Sequence, residues 1–206
     1  MQKRLFDANQ YQIACQSPVG EAQWASLKTP KKWNPEENGD FQISVITTKE
    51  EAEPLMSLCT GLTEKMIDMC TKDGKSINVS HNSPFKELDD GRIEIRFKKP
   101  FYPANDKYPA TRPVMTYMPD GTQVDWNKTE WAVGNGSKVM VAAFARPYYM
   151  QGALGITMRL DKVKIHELEK YVAGGDGKDH EFSKPLTTED APVTSPDEVG
   201  QPSADF

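Results

Sequence analysis

Apolar side chains recur at every second position in four stretches of this chain. Phe41, Ile43 and Val45 alternate with Gln42 and Ser44, and Ile93, Ile95 and Phe97 alternate with Arg92, Glu94, Arg96 and Lys98. Val139, Val141, Ala143 and Ala145 alternate with Lys138, Met140, Phe144 and Arg146. Ile156, Met158 and Leu160 alternate with Thr157 and Arg159, after which Val163 and Ile165 resume one register off. A period of two sends successive side chains to opposite faces of a strand, so these stretches predict β-strands, and the slip predicts a bulge near Asp161-Lys162. Asn38-Gly39-Asp40, Asp120-Gly121 and Gly134-Asn135-Gly136 supply turns between them.

One segment keeps a helical period instead. Leu55, Leu58, Leu62, Met66, Met69 and Cys70 share one helical face. Thr48 with Glu51 matches a capping box, Pro54 is expected in the first turn, and Asp73-Gly74 supplies a stop. About five to seven short strands with one inserted α-helix predict a mainly β fold, an OB-fold-like Greek-key barrel. No internal repeat and no strand–helix alternation points to a parallel sheet.

The alternation ends near residue 172, and composition changes the picture there. Residues 173–206 run through Gly174-Gly175, Pro185, Pro192, Pro196 and Pro202 and hold eight acids against two bases. They cannot bury enough apolar surface to offset the entropy of ordering. The expected organisation is a folded body over 1–172 and a disordered acidic C-terminal tail over 173–206. The overall charge of −5 belongs to that tail, leaving the body almost neutral. Asp205-Phe206 closes it with an aromatic ring beside two carboxylates, which has no folding role and argues against an inert linker.

Nothing suggests a membrane or secretion. No stretch approaches the roughly 20 apolar residues that span a bilayer, and Met1-Gln2-Lys3-Arg4 is not followed by the apolar core of a signal peptide. Cys15, Cys59 and Cys70 form an odd set without a CxxC pair, which predicts reduced, buried thiols. His81, His166 and His180 lack metal-ligand spacing, so neither metal nor cofactor is expected.

Three segments interleave cations with flat rings: Trp24, Lys28, Lys31, Lys32 and Trp33; then Arg92, Arg96, Lys98, Lys99, Phe101 and Tyr102; then Arg146, Tyr148 and Tyr149. Single-stranded nucleic acid needs both ingredients, since cations track phosphates and rings stack on unpaired bases. These residues are the DNA-binding candidates. Two rival readings remain: a structural or interaction β-protein, and a metal-dependent nuclease built on Asp89 or Asp90 with Glu94-Ile95-Arg96. Arg96 then stands where a nuclease would carry lysine, and a guanidinium cannot readily exchange a proton.

Gly134-Asn135-Gly136-Ser137-Lys138-Val139-Met140-Val141, Arg146-Pro147-Tyr148 and Gly155-Ile156-Thr157-Met158-Arg159-Leu160 resemble the closing strands of the replication single-stranded DNA-binding proteins of tailed bacteriophages. The stretch from Trp24 to Thr48 and the acidic tail ending in Phe206 are similar to the same family. The resemblance implies a non-catalytic OB-fold body that coats and protects single strands in phage replication and recombination, in the cytoplasm of the infected host. It implies a tail that competes with DNA and recruits the phage polymerase and helicase/primase through Asp205 and Phe206, and it implies a homodimer. Tyr148 matches the family's tyrosine after proline; the tryptophan two positions on is Met150 here, and Tyr149 is the candidate substitute. The tail is also less densely acidic than the family pattern.

Overall fold

The computed structural model describes residues 6–32, 34–36, 38–72, 77–80, 82–150 and 153–172. In chain order the elements are β1 (Ile13–Gln16), β2 (Gly20–Lys31), β3 (Asp40–Thr47), α1 (Lys49–Lys72), β4 (Asn78–Val79) and β5 (Phe85–Glu87). There follow β6 (Ile93–Pro100), β7 (Met115–Tyr117), β8 (Ala132–Val133), β9 (Lys138–Met150), β10 (Ala153–Glu167) and β11 (Lys170–Tyr171). The expected tail, 173–206, lies outside the described residues.

The four alternating stretches form β3, β6, β9 and β10. β2 pairs with β3, β3 with β6, β6 with β10, β10 with β9, and β9 returns to β2, which closes a five-stranded barrel. Every junction is antiparallel except β6 with β10, where Met158 stands opposite Phe97 in parallel register. This is the Greek-key order of an OB-fold, as the sequence predicted. β1 continues beside β9, β5 lines the free half of β6, and β4 and β7 add short parallel pairings to β10. β8 and β11 make a separate two-stranded ribbon.

Inward positions fill the barrel. Phe41, Ile43, Val45, Ile93, Ile95, Phe97, Val139, Val141, Met158, Leu160 and Ile165 are all buried. Each large side chain contributes on the order of 1.5–3 kcal/mol by leaving water. β10 breaks register between Leu160 and Lys162, so Asp161 is the extra residue of the expected bulge.

α1 follows β3 directly. The Glu51 amide donates to Thr48 Oγ1 at 3.2 Å, and the Thr48 amide donates to Glu51 Oε2 at 3.3 Å, completing the capping box. Hydrogen bonds from the Thr47 and Thr48 hydroxyls, with the Thr48 amide, hold the Glu51 carboxyl below its ordinary range. Pro54 lies inside the helix, past the first turn, where it leaves the carbonyl four residues earlier without its amide donor. The buried stripe is Ala52, Leu55, Cys59, Leu62, Met66 and Cys70, with Leu58 and Met69 only half-buried at its margins. Cys59 Sγ meets Met158 Sδ at 3.8 Å, which seats the helix on β10. Burial pushes the Cys59 thiol up to about 12, while Cys15, on β1, is half-exposed. Asp73-Gly74, the expected stop, falls outside the described residues.

Candidate nucleic-acid interface

The polar alternates of the barrel strands face outward and meet across them. Gln42 stands opposite Lys98 and Ser44 opposite Arg96 between β3 and β6. Thr157 is opposite Arg146, and Gly155 opposite Tyr148, between β10 and β9. The parallel pairing of Met158 with Phe97 sets Thr157 beside Arg96. A row Ser44–Arg96–Thr157–Arg146 therefore crosses four strands.

Three adjoining depressions follow this row. The first, about 400 Å³, is lined by Trp24, Lys31, Gln42, Ser44, Lys86, Glu94, Arg96 and Lys98. The second, about 540 Å³, shares Lys86, Arg96 and Lys98 with it and adds Tyr148 and Thr157. The third, about 300 Å³, shares Tyr148 and Thr157 and adds Arg146, Tyr149 and Phe6. Together they make one groove with rings at both ends and cations between. Gln42 and Ser44 are buried although they point outward, so β3 is its floor.

Trp24 reaches the groove through an unusual backbone. Its φ is +54°, a left-handed conformation that costs a side-chain-bearing residue roughly 1–2 kcal/mol. β2 loses register with β3 between Gln23 and Ser26, and the Trp24 amide turns away to donate to Asn135 Oδ1 at 2.9 Å. The result is a tryptophan 60% exposed, with Lys31 Nζ 5.9 Å from the ring centroid.

Tyr148 is seated differently. Its hydroxyl shares a 3.1 Å hydrogen bond with Ser80 Oγ. Its ring lies against Gly155, where a Cβ would collide with Tyr148 Cζ and Oη. Only glycine leaves room for the ring to lie across β10 there.

Charge pairing divides the candidate cations. Lys86, Lys98 and Arg146 have no carboxylate partner among the described residues. Arg96 Nε stands 3.7 Å from Glu94 Oε1, which also accepts a 2.7 Å hydrogen bond from Ser44 Oγ. Arg92 instead donates from Nη1 to Glu21 Oε2 at 2.9 Å and from Nε to Asp90 Oδ2 at 2.7 Å. Lys138 adds a 3.1 Å bond to Glu21 Oε1.

The structure thus brings Trp24, Lys31, Arg96, Lys98, Arg146, Tyr148 and Tyr149 to one groove. Lys28 donates to the Thr129 carbonyl at 2.6 Å and is engaged elsewhere. Lys99 lies on the opposite side of β6 from Lys98, 5.7 Å from the Phe41 ring centroid, where burial lowers its ammonium's pKa. Phe101 packs edge-on against Phe41 at 6.0 Å. Lys32 and Tyr102 are exposed in the segments after β2 and β6. Trp33, Asp205 and Phe206 lie outside the described residues.

Lys86, Gln42, Ser44 and Thr157 were not among the sequence candidates. Lys86 sits on a three-residue strand, too short for a period to show. Asp90, the nuclease candidate, is bound to Arg92, and no group of three or more His, Cys, Asp or Glu is placed to hold a metal among the described residues.

Neither models of known families nor curated proteins match this sequence. Solved structures do match its fold. The gp2.5 single-stranded DNA binding protein of bacteriophage T7 superposes with a TM-score of 0.63 at 15% identity, over 86% of this chain and 100% of that one. The single-stranded DNA-binding protein of bacteriophage Enc34, truncated at its C-terminus, gives 0.54 at 13% identity over 77% and 88%. The same protein in complex with single-stranded DNA gives 0.51 at 13% identity over 76% and 87%. This chain has the fold of those phage proteins, in agreement with the resemblance read from its strands.

Proposed function

We propose that the chain binds single-stranded DNA without altering it chemically. The carrying observation is the outer groove, in which Trp24 and Tyr148 bracket Lys86, Arg96 and Lys98. Bases stack on the two rings while the backbone phosphates lie along the cations between them. Neighbours that bind single-stranded DNA by name, one of them in complex with it, support the reading.

The acidic segment 173–206 completes the mechanism. As a flexible coil, a segment of that length would span roughly 30 Å and would reach the groove at an effective concentration on the order of millimolar. Its carboxylates imitate phosphates and Phe206 a base. DNA displaces it and frees it to recruit replication proteins such as a polymerase or helicase in the host cytoplasm.

The test is titration of the full chain and of a version ending at Ala173 with fluorescent oligo-dT, following anisotropy and tryptophan emission. Binding with quenched emission, tighter in the shortened chain, is expected. Unchanged anisotropy and emission at low salt in both would overturn the reading. A phage structural or interaction protein would give that result.

A further inference from the structure

We infer that the groove discriminates among the bases it stacks, and that Glu94 is the residue that does so. The inference rests on the single-strand reading above and concerns which strands are preferred. A carboxylate among phosphate-tracking cations is a liability for indifferent binding, because it repels the backbone. Glu94 is nevertheless built into the floor of the depression beside Trp24. Its side chain is only 14% exposed, and Ser44 Oγ fixes its Oε1 at 2.7 Å. Arg96 Nε approaches the same oxygen at 3.7 Å. Oε2 accepts no hydrogen bond among the described residues. Neighbouring Gln42 adds an amide to the same floor.

A base stacked on Trp24 would turn its hydrogen-bonding edge toward this floor. Unpaired bases are read on that edge. Cytosine presents an amino donor at position 4, which a carboxylate oxygen accepts. Thymine presents a carbonyl at the same place, and two acceptors repel. The depression therefore favours amino-bearing bases over thymine, with Glu94 as the specificity-determining acceptor.

The experiment compares oligo-dC with oligo-dT of equal length on the full-length protein and on Glu94→Gln. The near-isosteric amide keeps its oxygen toward Ser44 and the donor Arg96, and so turns its NH₂ toward the base. The ratio of dC to dT affinity is expected to fall by about threefold or more, with dT binding gained and dC binding lost. Glu94→Ala should abolish the preference without the gain for thymine, and matched thermal midpoints confirm that each variant folds. Equal tightening of both oligonucleotides in Glu94→Gln would mean that the carboxylate only repels phosphate, and would overturn the inference. So would an unchanged ratio. Failure of the unaltered protein to bind either oligonucleotide would overturn the underlying reading instead, and this inference with it.

Discussion

Arg92, just before β6, and Lys98, within it, point to the same outer face, yet they stand in opposite electrostatic surroundings. At the Arg92 end, Glu21 from β2 and Asp90 from the preceding turn clamp the guanidinium, and Lys138 from β9 shares Glu21. At the Lys98 end there is no clamp: Lys98 and Lys86 have no carboxylate partner among the described residues, and the rings of Trp24 and Tyr148 stand beside them. The first end ties three strands together. The second leaves its charge for a ligand. Alternation in sequence gives both cations the same face, and only tertiary closure decides which is spent internally.

Four measurements would break or sharpen that contrast. Trp24→Ala should cost single-stranded DNA about 1–3 kcal/mol of affinity, roughly five- to 150-fold in an anisotropy titration. Gly155→Ala should match Tyr148→Ala, each losing roughly tenfold, because the added methyl evicts the ring from its seat. Wild-type affinity in Gly155→Ala would remove Tyr148 from the groove's function. Lys98→Ala should reduce the slope of log affinity against log salt by about 0.7, whereas Arg92→Ala should leave the slope unchanged and lower the thermal midpoint. A changed slope in Arg92→Ala would erase the distinction between the two ends.

The smallest effect is one of pH. Hydrogen bonds first from Lys138 and then from Arg92 hold the Glu21 carboxyl below its ordinary range. Folding therefore gains from Glu21 above the unfolded carboxyl value, near 4.3, and loses that gain as pH falls through the lower folded value. Glu21→Gln should melt earlier than the unaltered protein at neutral pH, with the gap closing below about pH 4.

Much of the barrel was legible because its strands are amphipathic. The alternation placed β3, β6, β9 and β10, the capping box placed the start of α1, and the register slip placed the bulge at Asp161. Short elements such as β4 and β5 were not legible, since two or three residues carry no period and owe their pairing to neighbours. The site was legible in kind and only partly in membership. Arg92 read like Arg96, because its partner Glu21 is distant in sequence. Lys99 read like Lys98, because adjacent strand residues look alike until one is known to lie against Phe41. Trp24 was found for its ring, but the left-handed backbone and the Asn135 contact that aim it depend on a bulge the pattern does not reveal.

The outward side of β3 carries the small Ser44 where an ordinary barrel wall would carry something larger. The small side chain of Ser44 thus helps set the depth of the depression beside Trp24. Leucine or phenylalanine at position 44 would level the depression from beneath while the interior packing of Ile43 and Val45 stayed in place. Such a protein would keep its architecture and be blind to its ligand, so variation among related chains at this position should track recognition rather than foldability.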